Sequence, residues 1–461
     1  MIDFAGTIIV LAAVQITAGL FATSSWILSL LPLIVVLVAA SFLHLKTGLL
    51  LLAVAVYLRI ELPGLVGVYP ADLLVLVLLG GLAFRTLTSG TSRVLTTPYN
   101  TSLLAILTVF AVSLIGTHDL SIGVRNWLRH AQMFGVIVLV AAVLDGRDVT
   151  RILRILLVVA FVLCLPTILT AVQIGGSQRV FGVAGMFFPF FLAAGVIHCS
   201  VGYLLSEQAW KRWAWAVLAL TFSIGIIVSQ TREAMLFLLI GTLLVSLLVW
   251  IWAGRHVFPK LRGRVARLLL IGAVILLIVF SGSIALFQTS ANRVHQAVEG
   301  QSNTIQIRLF LWRMGIQSFM ESPILGLGLG QIQKWDELLP LWHLDPMAQF
   351  SRGLGAHNDV ISYAAETGLA GVSAMFVFFG CVFRCGWREW RRAETPEVLM
   401  RVLVVWVPCL ALIARFSFGT HTFYSLGGLF NCLYFGMLVA HTRWADDNRA
   451  RGQEQIACRA I

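Results

Sequence analysis

Three kinds of residue in this chain could do chemistry together: one histidine at a helix start, a set of arginines, and the carboxylates beside them. In SRGLGAHNDVISYAAETGLAGV, Gly353 and Gly355 free the backbone, and His357, Asn358 and Asp359 then open a helix. The positive end of the helix macrodipole disfavours imidazolium at such a place. The His357 ring is then neutral and able to take a proton near pH 7, although a histidine there also serves as a hydrogen-bonding cap. Arginines stand in several polar connections: Arg179 in GGSQRVFG with no acid nearby, Arg232 in the tight turn SQTREAM beside Glu233, and Arg352 just before His357. Arg308 and Arg313 follow in a helical stretch, and Arg415 shares the last turn with His421. Guanidiniums converging on one cavity make a bidentate receptor for phosphate groups. An arginine at a membrane edge also snorkels to lipid headgroups, and that is the expectation for Arg415; Arg232 could pair with Glu233.

The connections that carry these residues separate long apolar runs. The chain has 461 residues, 59% hydrophobic and 12% charged, with a mean hydropathy of +0.90. An ordinary soluble protein carries about 25% charged residues, so this chain cannot cover a water-facing surface of its size. It reads as a polytopic helical membrane protein, which excludes a soluble enzyme, a disulfide-stapled secreted protein and a nucleic-acid binder. The seven cysteines show no CxxC and no Cys/His ligand spacing, so neither zinc nor a disulfide frame is indicated. MIDFAGTIIVLAAV has no basic residue before its apolar run and reads as a retained first span.

Apolar runs predict spans near 4–22, 26–43, 47–60, 71–84, 101–116, 131–144 and 152–173. A second set follows near 187–205, 213–229, 234–253, 266–287, 358–383, 400–414 and 420–441. Some are shorter than the ~20 residues of a perpendicular span, which makes 12 to 14 transmembrane helices. One set of alternate loops holds 22 of the 33 basic residues, from Lys46 through Arg255 and Arg388 to Arg459. Five of the others sit in one long loop that is left out of such a comparison. The basic set therefore faces the cytoplasm, both termini lie there, and the net charge of +12 is mostly topology. The chain divides into helices at 1–287, an outer loop at 288–356, further helices at 357–441 and a cytoplasmic tail at 442–461.

The outer loop has structure of its own. Ile305, Leu309, Trp312, Ile316 and Phe319 form one apolar stripe at helical spacing. Ser302 is a candidate N-cap, and Pro323, Gly326, Gly328 and Gly330 end the helix. Such a helix lies on the membrane surface or over the bundle, with Arg308 and Arg313 beside the stripe. Beyond His357, Ala364, Gly368 and Gly371 form a small-residue stripe for close helix packing. GLGLGQ is no nucleotide loop, since it lacks the GK[ST] end and follows an interfacial helix. RCGWREWRR reads as an inner-edge anchor, and His198 as a packed, hydrogen-bonded residue.

Three pieces, taken in order, resemble the O-antigen ligase/polymerase superfamily of bacterial inner-membrane glycosyltransferases. SQTREA (229–234) resembles its Ser-x-x-Arg turn, and RLFLWRMGIQSFMESPILGLGLG (308–330) its Arg-x3-Trp, Pro and Gly-x-Gly pattern. HNDVISYAAETGLAG (357–371) resembles its His-Asn…Glu-x-Gly-x-x-Gly helix, departing only at Val360-Ile361. The resemblance implies an all-α polytopic membrane protein, a bundle of 12–14 helices with one structured periplasmic loop. It implies a metal-independent, cofactor-free transfer of a glycan from undecaprenyl diphosphate to a sugar hydroxyl of lipid A-core at the periplasmic face. Its partners are that lipid-linked donor, a lipid A-core or lipid-linked glycan acceptor and membrane lipids, with no nucleic acid. His357 would take or orient the acceptor proton. Arg232, with Arg308, Arg313 and Arg179, would hold the diphosphate, and Asn358, Asp359, Glu366 and Arg352 would support the site. A glycosyl diphosphate is already activated, so positioning and charge neutralisation suffice, and direct displacement inverts the anomeric centre. Asp359 and Glu366, about two helical turns apart, are no glycosidase pair; either could orient His357, bind sugar, cap, or be a buried hydrogen-bonding partner. A polymerase extending a lipid-linked chain needs the same diphosphate site and is the first alternative. An oligosaccharyltransferase and a lipid transporter are further ones, the last disfavoured by the absence of an internal repeat.

Overall fold

A computed structural model describes residues 44–57, 69–89, 98–173, 187–229, 231–256, 260–269, 304–338, 355–416 and 425–460, with residues 42 and 348. Its elements in chain order are α1 (Leu45–Ala55), α2 (Pro70–Ser89), α3 (Pro98–Ser113), α4 (Leu120–Val143), α5 (Gly146–Gln173) and α6 (Phe188–Leu205). They continue with α7 (Ala209–Ser229), α8 (Arg232–Arg255), α9 (Thr304–Glu321), α10 (Asp359–Arg391), α11 (Pro396–Phe416) and α12 (Ser425–Ala460). Among the described residues there is no strand, and nine helices, α2 to α8 with α10 and α11, are long and apolar enough to cross a membrane. The chain is an all-α polytopic membrane protein. The predicted span 4–22, all of 26–43 except residue 42, and most of 266–287 lie outside the described residues.

Local chemistry explains where many helices begin. Proline opens α2, α3 and α11, at the position where its missing N–H costs nothing. Asp119 caps α4, its carboxylate accepting from the Ile122 N–H at 3.1 Å. The α6 helix is apolar around its whole circumference and buried along nearly all its length, so it is a central helix. It packs against α7, α8 and α11, while α3 lies along α10 and α4 along α12.

Two expectations need correction. The span predicted at 131–144 begins at Leu120, because the polar residues read as a break are satisfied inside the helix. The buried His130 ring contacts the Asn126 carbonyl at 2.8 Å and the Tyr363 hydroxyl at 2.7 Å, and Arg129 pairs with Asp72 at 3.7 Å. In α9 the face against the protein is Phe310, Leu311, Met314 and Ser318, joined to Trp335, Ala356 and Ala365 in a small second core. Within the predicted stripe Leu309 is 49% and Ile316 55% exposed, in line with Met320 at 70%, whereas Trp312 packs against the second core. The helix has two apolar faces where spacing named a single stripe.

The helices alternate, so one end of the bundle carries α9 and the loop after it, together with the starts of α4, α6, α8 and α10 and the end of α11. The opposite end carries the α10–α11 turn and the polar half of α12.

Candidate functional site

The loop after α9 is built into α10. At Gly368 the backbone has φ 63° and ψ −164°, which interrupts the helical ladder and leaves amide groups without helical partners. The loop supplies them: Leu369 N–H donates to the Pro323 carbonyl at 2.8 Å and Ala370 N–H to Ile324 at 3.2 Å. In return the Ala365 and Glu366 carbonyls accept from Leu327 at 2.8 Å and Gly328 at 3.0 Å. A Cβ on Gly368 would strike the backbone of Ile324 and Leu325, and one on Gly326 that of Glu366 and Thr367. Gly368 thus acts through its left-handed backbone and not as a member of a packing stripe, which corrects that expectation. At 33 residues, α10 would reach about 50 Å, beyond the ~30 Å hydrocarbon core. Leu369 to Arg391 alone covers roughly 35 Å, so the break separates a spanning part from a short outer part.

Glu366 belongs to this joint. Its buried carboxylate accepts from the Ile332 N–H at 3.4 Å and from Gly330. Next to it Gln331 exchanges two hydrogen bonds with the Asp119 backbone, at 3.0 and 3.1 Å, and Lys334 reaches the Asp119 carboxylate at 3.4 Å. The joint holds the outer part of α10 in place, and Glu366 is a buried hydrogen-bonding partner within it.

His357 stands just before that outer part. Its φ of 51° is left-handed, a region in which histidine is enriched but still uncommon. This turn lets Asn358 cap α10, its side-chain oxygen accepting from the Ile361 N–H at 3.1 Å. His357 feels the charges of Arg308 from α9 and Glu233 from α8. Burial holds its imidazole below the ordinary range, the Arg308 guanidinium pushes the same way, and the Glu233 carboxylate opposes both. The neutral ring agrees with the expectation, but burial and Arg308 produce it.

Glu233 links the rest. One carboxylate oxygen lies 3.5 Å from Arg308 Nη2 and the other 3.6 Å from Arg415 Nη2. Arg415 is only 4% exposed, with its guanidinium 4.1 Å from the centre of the Phe190 ring, and Asp359 is buried within electrostatic reach of it. The expected snorkelling of Arg415 is therefore wrong: a carboxylate and an aromatic face inside the bundle take the place of headgroups. Neither Glu233 nor Arg415 was singled out for the site from the sequence. The signal was an acid and a base at matching depths of two apolar helices, α8 and α11.

The structure thus brings together His357, Asn358, Asp359 and Arg308. Arg313 is exposed on α9, roughly 140° round the helix from Arg308. Arg232 opens α8, but its side chain lies outside the described residues, as do Arg179, Arg352 and His421. Among the described residues no group of three or more His, Cys, Asp or Glu could hold a metal ion. A guanidinium has five N–H donors, so a single long contact to one carboxylate oxygen leaves Arg308 able to take a second anion, beside a histidine that can take a proton.

No curated protein matches the chain. Residues 214–376 match the family model described as O-antigen ligase. That segment holds α8, α9, the glycine loop, His357 and the outer part of α10, while Arg415 lies beyond it. The match bears out the resemblance to the O-antigen ligase/polymerase superfamily and supports, for this multi-pass membrane protein, a glycosyltransferase role of the ligase or polymerase type.

Proposed function

We propose that this protein transfers a glycan from undecaprenyl diphosphate to a sugar hydroxyl, by metal-independent inverting displacement at the periplasmic face of the bacterial inner membrane. The observation that carries the reading is the meeting of His357 and Arg308 with Glu233 and Arg415 at one end of the bundle. Arg308 and Arg232 hold the diphosphate and stabilise its charge as it leaves. His357 takes the proton of the acceptor hydroxyl. Asn358 caps the helix that places His357, and Asp359 faces Arg415. Arg313, exposed on α9, meets the diphosphate headgroup at the membrane surface; Arg179 and Arg352 stay in the proposal on the resemblance alone. The excess of basic residues at the opposite end supports a cytoplasmic location for it and for both termini. We take lipid A-core as the acceptor and a lipid-linked glycan as the alternative.

The test is transfer in vitro from an undecaprenyl-diphosphate oligosaccharide, with chelator present and each acceptor offered separately. Product on lipid A-core, lost in His357→Asn and formed in Arg308→Met only at raised donor concentration, is the expected result. A ladder of longer lipid-linked chains would make the protein a polymerase. Folded protein that transfers to neither acceptor would sink the reading.

A further inference from the structure

Glu233 stands between basic groups on three different elements. Arg308 comes from α9, Arg415 from α11, and His357 from the turn before α10. Each carboxylate oxygen serves one guanidinium, at 3.5 and 3.6 Å, so neither pair is the short bidentate kind. Arg415 is buried against Phe190 and always charged, so it needs an anion beside it at every stage. A diphosphate carries more charge than one carboxylate and offers several oxygens in the geometry that guanidiniums prefer.

We propose that Glu233 is an exchangeable counter-ion of the site. In the empty site its carboxylate holds Arg308 and Arg415; the donor's diphosphate takes both guanidiniums and leaves the carboxylate to serve the His357 imidazolium. The base then reaches full strength only with the donor in place. This rests on the reading of the site as a diphosphate receptor, and it adds Arg415, from outside the segment that matches the family, to the residues that hold the diphosphate.

The charges facing His357 decide the sign. Arg308 from α9 opposes imidazolium and Glu233 from α8 favours it; Asp359 lies on its own helix, and Arg415 from α11 is coupled to both acids. Diphosphate neutralises the opposing Arg308 and frees the favouring Glu233, so both changes strengthen the base. In the transfer step the hydroxyl oxygen forms its bond to the anomeric carbon, and the bond from that carbon to the diphosphate oxygen breaks with its electron pair left on the diphosphate. The hydroxyl proton ends on His357, opposite Glu233.

The experiment uses the full chain in nanodiscs and the pH dependence of transfer. The profile of kcat/KM for the donor reports His357 in the empty enzyme, and that of kcat reports it with the donor bound. The wild type is expected to show the kcat limb about one pH unit above the kcat/KM limb, and Glu233→Gln is expected to narrow that gap, since the Arg308 contribution remains. Coincident limbs in the wild type, or an unchanged gap in the variant, overturn the proposal. Direct binding of undecaprenyl diphosphate gives a second readout that needs no turnover. Glu233→Gln should bind it about threefold more tightly, because the competing carboxylate is gone, and equal or weaker binding overturns the exchange. A wild type that binds undecaprenyl diphosphate yet transfers to no acceptor would end the glycosyltransferase reading, while the binding comparison still decides the exchange.

Discussion

At one end of the bundle Glu389 lies among Arg388, Arg392 and Arg449; at the other Glu233 lies between Arg308 and Arg415. Arg449 Nη2 reaches both oxygens of the buried Glu389 at 3.0 and 3.1 Å, and Arg388 Nε reaches one at 3.2 Å. Asp446 completes that group, accepting from Arg388 at 2.6 Å and from Arg449 at 2.7 Å. The network ties α10 to α12 with two acids and short bonds, as a structural staple does. At the loop end one carboxylate is stretched between two guanidiniums at 3.5 and 3.6 Å, beside a histidine in a strained turn. Saturated pairing fixes an architecture, whereas the single long contact on Arg308 leaves that guanidinium with donors for a ligand.

The largest expected effect lies at the loop end. His357→Asn tolerates the left-handed turn but takes no proton, and should lower kcat by about 10²- to 10⁴-fold with the fold intact, read by transfer kinetics and thermal melting. Gly368→Val should break the comparison from the other side. It forces a branched side chain into a left-handed position against the loop backbone, and is expected to cost several kcal/mol, about 3 or more, seen as lost thermal stability before any change in chemistry. Arg308→Met should raise the donor KM about tenfold, while Arg392→Met at the staple leaves it unchanged. Glu389→Gln is the converse: about 1–3 kcal/mol of stability lost, with donor affinity as in the wild type. An Arg392 variant with weakened donor affinity would remove the distinction between the two ends.

The smallest effect concerns pH. With its folded pKa depressed, His357 is neutral above the ordinary imidazole value of 6.5, so the acid limb of kcat/KM should fall below that value. A limb at or above it would show that Arg308 and burial do not act on the base as placed here.

Much of this was legible because it is local. Asn358 caps an amide three residues away, proline opens helices, and glycines mark the loop after α9. The helix macrodipole argument found the state of His357 but not its main causes, which come from residues distant in sequence. Arg415 was misread because a charge at the end of an apolar span looks the same whether a headgroup or a buried acid awaits it. The second apolar face of α9 stayed hidden because lipid and protein core are equally apolar, so hydrophobic spacing cannot tell one face from the other.

Composition and hydropathy determined by themselves that the chain is a helical membrane protein, and the order of three short motifs pointed to the superfamily it resembles. Only the tertiary structure decided that Glu233 meets Arg308 across 75 positions and that His130 meets Tyr363 across 233. Helix formation follows from neighbours within a turn or two. Which side chains of separate spans face one another depends on each helix's rotation, depth and breaks, and packing of the whole bundle sets these.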